Sequence, residues 1–166
     1  MLSLEKHSIE GGYFKEIFRS DLEIPARQLN GNFSAKEYRA STAIYYLLSA
    51  EDKSSMHAIA CDETWHFYKA DNASTRMLLL VISPDGKFKE VIKIGSNIEL
   101  GEVPVYTVKR GWFMGGKVVG NSSEAWALMG TTVAPSFEYV DYKDGDTNTL
   151  KKLAPEFADF LDSIEK

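Results

Sequence analysis

Residues 76–94 read Arg76-Met77-Leu78-Leu79-Leu80-Val81-Ile82-Ser83-Pro84-Asp85-Gly86-Lys87-Phe88-Lys89-Glu90-Val91-Ile92-Lys93-Ile94. Two runs rich in branched apolar residues flank Pro84-Asp85-Gly86, a run of turn formers and the strongest hairpin signal in the chain. The second run alternates. Phe88, Ile92 and Ile94 share one face while Lys87, Lys89 and Lys93 share the other, as on a strand with one wet side. The first run does not alternate, so both of its faces are expected to be covered, by a second sheet or by a partner chain.

The same rhythm extends outward from this hairpin. From Thr42 onward, short β-branched and aromatic runs are broken by turn chemistry at intervals of about ten residues, the spacing of an all-β sandwich or barrel. Nine strands are expected: Tyr38–Leu48, Ser55–Ala60, Thr64–Ala70, Arg76–Ser83, Lys87–Ile94, Val103–Lys109, Gly111–Val119, Ala125–Val133 and Phe137–Tyr142. Upstream, Gly11 to Arg19 reads as a turn followed by a strand, and Asp21 to Ser34 as a loop. At the C-terminus the period changes. Leu153, Phe157, Phe160, Leu161 and Ile164 make one apolar stripe, predicting a helix over about 150–165 with Pro155 in its first turn. The expectation is a single all-β domain over 1–166, with its sheet core at about 38–142 and a helix packed at its end.

Composition narrows the function classes. Nineteen Lys and Arg oppose 24 Asp and Glu, a net charge of −5, and no basic cluster exceeds Lys109-Arg110, so no nucleic-acid partner is expected. The longest aliphatic stretches, such as Met77–Ile82, fall far short of the roughly 20 residues of a membrane-spanning helix, and no membrane partner is expected. Met1 to Ser8 lacks the apolar core of a secretory signal, and Cys61 is the single cysteine, which together predict a cytoplasmic home. Gly-rich phosphate loops, Cys-x-x-Cys pairs and Ser-centred elbows are all absent from the sequence.

The stretch that carries chemistry is Ser55-Met56-His57-Ala58-Ile59-Ala60-Cys61-Asp62-Glu63-Thr64-Trp65-His66-Phe67-Tyr68. Paired as a hairpin, it turns His57, Ile59, Glu63, Trp65 and Phe67 to one face and Thr64, His66 and Tyr68 to the other. His57 and Glu63 are then neighbours on an inward face. A carboxylate there needs a hydrogen-bond partner, a cation or a raised pKa, so the pair reads either as a structural contact or as the floor of a small-molecule pocket. His66 is expected at a surface or interface, and His7 at the periphery or in a dimer contact. Cys61 is expected to be inert.

Gly95, Gly101-Glu102-Val103-Pro104, Val108 and Gly111-Trp112, following His57 to Glu63 at this distance, resemble the two-motif layout of the cupin superfamily. Glu10-Gly11-Gly12-Tyr13-Phe14, Thr42 to Leu48, Asp62-Glu63-Thr64-Trp65 and Ala134-Pro135-Ser136-Phe137 together resemble a small, poorly characterised cupin-like family, over about Leu4 to Tyr142. The resemblance implies a jelly-roll barrel (double-stranded β-helix), a homodimer and a pocket between the sheets. Metal-binding cupins supply a His-x-His pair and a glutamate from the first motif and a histidine from the second. Here His57 and Glu63 stand at two of these positions, but Ile59 and Met114 stand at the others, so no cofactor is expected.

The resemblance to metal-independent cupin epimerases and isomerases of sugar nucleotides implies His57 and Glu63 as catalytic proton-transfer groups. Tyr13, Tyr45, Tyr68 or Tyr106 would be the partner acid, and Tyr13, Tyr45, Trp65, Tyr106 and Trp112 would bind the ligand. Two alternatives stand beside this reading. One is a metal-dependent cupin enzyme with a divalent metal at His57 and Glu63; the other is a noncatalytic ligand-binding or structural homodimer.

Overall fold

The computed structural model describes residues 2–31 and 33–165. Asn32, which falls in the expected loop Asp21–Ser34, lies outside the described residues, as do Met1 and Lys166. The described strands are β1 (Glu5–Lys6), β2 (Tyr13–Arg19), β3 (Glu23–Pro25), β4 (Glu37–Arg39), β5 (Thr42–Ser49), β6 (Lys53–Ala58), β7 (Asp62–Ala70), β8 (Arg76–Ile82), β9 (Lys89–Ile94), β10 (Val105–Val108), β11 (Phe113–Val119), β12 (Trp126–Ala134) and β13 (Lys143–Asp144). A six-stranded sheet runs β1-β2-β5-β12-β7-β10 and a five-stranded sheet β13-β6-β11-β8-β9, while β3 and β4 form a separate ribbon. All strand pairs within these sheets are antiparallel. This is the expected all-β jelly roll.

The Pro84-Asp85-Gly86 turn joins β8 to β9 in register, with Met77 opposite Ile94 and Ile82 opposite Lys89. Gly86 has a φ of +67°, and the Ser83 hydroxyl donates to Asp85 at 2.7 Å, so the turn uses both glycine freedom and an acidic side chain. Between the sheets, Tyr46, Leu48, Trp65, Leu79, Val81, Ile94 and Met129 belong to one core. Trp65 is fully buried and packs edge-on against Tyr46, with ring centroids 5.7 Å apart.

Several expectations are corrected. The stretch Ser55–Tyr68 is not a hairpin: β6 pairs with β11 and β13 in one sheet and β7 with β12 and β10 in the other, so His57 and Glu63 approach each other across the sandwich. The expected strand Tyr38–Leu48 is two strands, β4 and β5, and β4 pairs with β3, which lies in the expected loop Asp21–Ser34. The expected strand Phe137–Tyr142 is instead a loop with a 3-10 turn over Tyr139–Asp141. Its polar groups are satisfied outside any ladder, since Phe137 N donates to the Thr42 hydroxyl and Asp141 accepts from Tyr38 and from Ser34 N. The C-terminal helix is two helices, α1 (Thr147–Leu153) and α2 (Ala158–Ser163), separated by a 3-10 turn over Pro155–Phe157. Ala154, at φ −138° and ψ 63°, has left the helical region because the ring of Pro155 disfavours it in the preceding residue.

A further correction concerns β8. Its inner side joins the core between the sheets, and on its other side Leu80 and Ile82 pack with Met56, Leu150, Ala154, Leu161 and Ile164. The chain's own helices therefore cover the second apolar face, where the sequence left open a partner chain.

Candidate functional site

The segment between β1 and β2 sets the edge of the site. Gly11 and Gly12, with φ of +104° and +68°, bend the chain back so that His7 N donates to Gly12 O at 2.8 Å. A Cβ on Gly11 would lie 2.1 Å from the Lys53 carbonyl oxygen, so only glycine lets this strap press against β6. Ser55 N donates to Glu10 O at 3.1 Å, and the Glu10 side chain accepts from the Ser54 hydroxyl at 2.7 Å. Those contacts carry Glu10 from the N-terminal strap to the inner side of β6.

A cavity of about 300 Å³ lies at this end of the sandwich. Glu10 and His57 come from the strap and β6, Glu63 and Thr131 from the neighbouring strands β7 and β12, and Ile59 from the loop after β6. Phe14, Phe137 and Tyr139 supply aromatic lining, and Arg19, Glu16 and Glu138 line it as well. Arg19 donates to Glu16 at 2.9 Å and to Glu138 at 2.8 Å, and these bonds hold its guanidinium pKa up. The Ser136 hydroxyl also donates to Glu138, at 3.0 Å.

His57 is 2% exposed. Its Nδ1 lies 2.8 Å from the Ser55 carbonyl oxygen, which can only accept, so the proton sits on Nδ1. In the neutral ring Nε2 keeps its lone pair, and this atom faces Glu10 Oε1 at 3.8 Å, beyond hydrogen-bond length. Tyr142 stacks on the imidazole with an interplanar angle of 15° and ring centroids 5.1 Å apart. Burial, reinforced by the charges of Glu10, Asp144 and Glu63, pushes the Tyr142 phenol up, so it stays protonated.

Glu63 is 8% exposed. Burial and then the charge of Glu10 push its carboxyl up to about 7, against the opposing effects of His57 and a hydrogen bond from Thr131. The site thus holds a carboxyl that takes or gives a proton near neutrality beside an imidazole with a free nitrogen.

Of the residues singled out in the sequence, His57 and Glu63 meet at this cavity, whereas Tyr13, Tyr45, Trp65, Tyr106 and Trp112 are not part of its lining. Tyr13 and Tyr45 alternate with the inward Phe14 and Tyr46 and therefore lie on the outer face of the six-stranded sheet. Trp65 and Tyr106, opposite one another on β7 and β10, belong to the core packing, and Trp112 packs on Phe88 with centroids 4.9 Å apart. Tyr68 lies on the outer face beside Tyr45. His66 also shares that face, with Nε2 3.1 Å from the Thr132 hydroxyl. Burial pushes the Cys61 thiol up to about 12, which leaves it a thiol at neutral pH.

His7, expected at the periphery, is instead buried against the cavity, where its Nδ1 accepts from Glu10 N at 2.9 Å. Sequence reasoning also passed over Glu10 as a site residue. The available signal was an acid directly before a Gly-Gly turn.

The donor set does not fit the metal of metal-binding cupins. Ile59 puts an alkyl group on the cavity wall, and Met114, opposite His57 on β11, is buried in the apolar core. Among the described residues, no three His, Cys, Asp or Glu side chains converge as a metal site. No helix among them is long and apolar enough to cross a membrane.

Comparison with known proteins agrees with this architecture. A hypothetical protein from Leishmania major superposes with a TM-score of 0.80 at 26% identity, covering 98% of this chain and 93% of that one. A protein from Shewanella oneidensis superposes with a TM-score of 0.77 at 23% identity, covering 100% and 93%. Oxalate decarboxylase from Bacillus subtilis, a protein with Mn(II) centres, gives 0.51 at 12% identity over 95% of this chain and 37% of that one, a likeness of fold alone. No curated protein matches the chain. The family model described as Cupin superfamily (DUF985) matches residues 1–144, and the chain belongs to that family.

Proposed function

We propose that this cupin binds a compact carbonyl-bearing molecule of sugar size and moves a proton on it, as a metal-independent epimerase or isomerase does. The observation that carries the reading is the buried Glu63 carboxyl, pushed up to about 7 beside His57 in a cavity that Ile44, Ile59, Val133 and Phe137 also line. His57 Nε2 takes the proton from the carbon next to the carbonyl. The C–H electron pair becomes the C=C bond of an enediol, and Glu63 in its protonated form gives its proton to the carbonyl oxygen. His57 then returns the proton on the same face to the adjacent carbon, while the Glu63 carboxylate takes the proton of the other enediol hydroxyl, which becomes the new carbonyl and completes an isomerisation. The protonated carboxyl thereby also stabilises the developing oxyanion.

Volume and charge favour an unphosphorylated molecule over a sugar nucleotide. About 300 Å³ is at the small end of ligand pockets, which run roughly 300–1,000 Å³. The Arg19 guanidinium, the arginine of the lining, is already engaged by Glu16 and Glu138. A cytoplasmic homodimer belongs to the same proposal. The apolar and aromatic outer face of the six-stranded sheet, where Tyr13, Tyr68 and Val105 are exposed, supports the dimer.

The test is solvent deuterium incorporation into a panel of aldoses and ketoses. Exchange at the carbon next to the carbonyl is expected with the wild-type chain and is expected to be lost in His57→Gln and Glu63→Gln. Absence of exchange across the panel, or exchange that persists in both variants, would overturn the proposal.

A further inference from the structure

The charge of the cavity wall is one-sided. Glu10, Glu16, Glu63 and Glu138 line it against Arg19. Glu16 and Glu138 are spent on that guanidinium, but Glu10 and Glu63 are not. Glu10 has the Ser54 and Tyr46 hydroxyls and the distant His57 Nε2, and Glu63 has Thr131, fewer partners than the roughly four lone-pair sites of a carboxylate accept. Two under-satisfied carboxylates thus face the same small space.

An aromatic group lies on the same lining. Phe137 and Tyr139 meet edge to face with centroids 4.9 Å apart, and Phe14 packs against His7 at 4.6 Å. Aromatic faces attract cations, and desolvated carboxylates do so more strongly. Neither group favours an anion, and without a cation the crowding of Glu10 and Glu63 is relieved only by a proton on Glu63.

Resting on the reading of this cavity as a ligand site, we propose that its ligand is a small organic ammonium ion, held by Glu10 and Glu63 and flanked by Phe14, Phe137 and Tyr139. The ammonium group supplies the positive charge and the N–H donors that the two carboxylates lack. The rings cover the carbon atoms beside it.

Isothermal titration of the intact chain with two charge-contrasted pairs tests the inference: glucosamine against glucose, and choline against 3,3-dimethylbutan-1-ol. The ammonium member of at least one pair is expected to bind about tenfold or more tightly than its neutral counterpart, consistent with a carboxylate and cation–π contribution. The preference is expected to vanish in Glu10→Gln and Glu63→Gln and to survive in Glu99→Gln, which removes the same charge from an exposed position outside the cavity. Equal affinity within both pairs, tighter binding of the neutral members, or no binding by any of the four at millimolar concentration would overturn it. The wild-type comparison decides this even where a variant fails to fold. Its failure is separable from that of the proton-transfer reading: equal affinity within both pairs, with His57-dependent exchange, removes only the ammonium inference. An ammonium preference without exchange on any carbonyl sugar supports the ammonium inference and removes only the proton transfer.

Discussion

Nε2 of His57 faces Oε1 of Glu10 across 3.8 Å, while the opposite ring nitrogen is tied to the Ser55 carbonyl at 2.8 Å. The imidazole is therefore held from behind, with Nε2 turned toward Glu10. Nitrogen-15 NMR of His57 in the neutral ring is expected to find the proton on Nδ1. A proton found on Nε2 would remove the base from the proposed chemistry.

Glu63 links the site to stability. Its carboxyl is near 7 in the folded chain against an ordinary 4.5, so between these values the folded state keeps a proton that the unfolded state has lost. Stability attributable to this group therefore falls as pH rises from about 4.5 to about 7 and levels off above. Glu63→Gln is expected to be more stable than the wild type above pH ~7, by about 1–3 kcal/mol, with the advantage shrinking toward pH ~5. Chemical denaturation across this range checks it, and a pH-independent difference would contradict it.

Leu161 holds α2 against Leu80 and Ile82 on the outer side of β8. Leu161→Ala is expected to cost about 2–4 kcal/mol, the range for deleting a buried leucine side chain. A loss under about 1 kcal/mol would mean that these helices do not secure that face.

The β8–β9 hairpin was legible because its signals are local: a Pro-Asp-Gly turn and alternation within one strand. The inward direction of His57 and Glu63 was legible from alternation, but their placement on one hairpin was not: β6 and β7 lie in opposite sheets, and the two side chains meet across the sandwich. Alternation gives the face of a residue but not its depth along the sandwich, so Trp65 and Tyr106 could be read as inward but not as packed away from the cavity. Glu10 and His7 reach the site only because the N-terminal strap crosses to β6 through the Glu10–Ser55 backbone bond, a contact no local pattern encodes. The break before Pro155 was open to the rule for residues preceding proline, but the apolar stripe ran through it.

The account rests on Glu63 being a carboxyl that exchanges its proton near neutrality inside the cavity. Carbon-13 NMR titration of the Glu63 side-chain carboxyl tests this most directly. A midpoint near 7 that falls in Glu10→Gln, where the neighbouring negative charge is gone, is the expected result. A midpoint below about 5, within the ordinary carboxylate range, would contradict it.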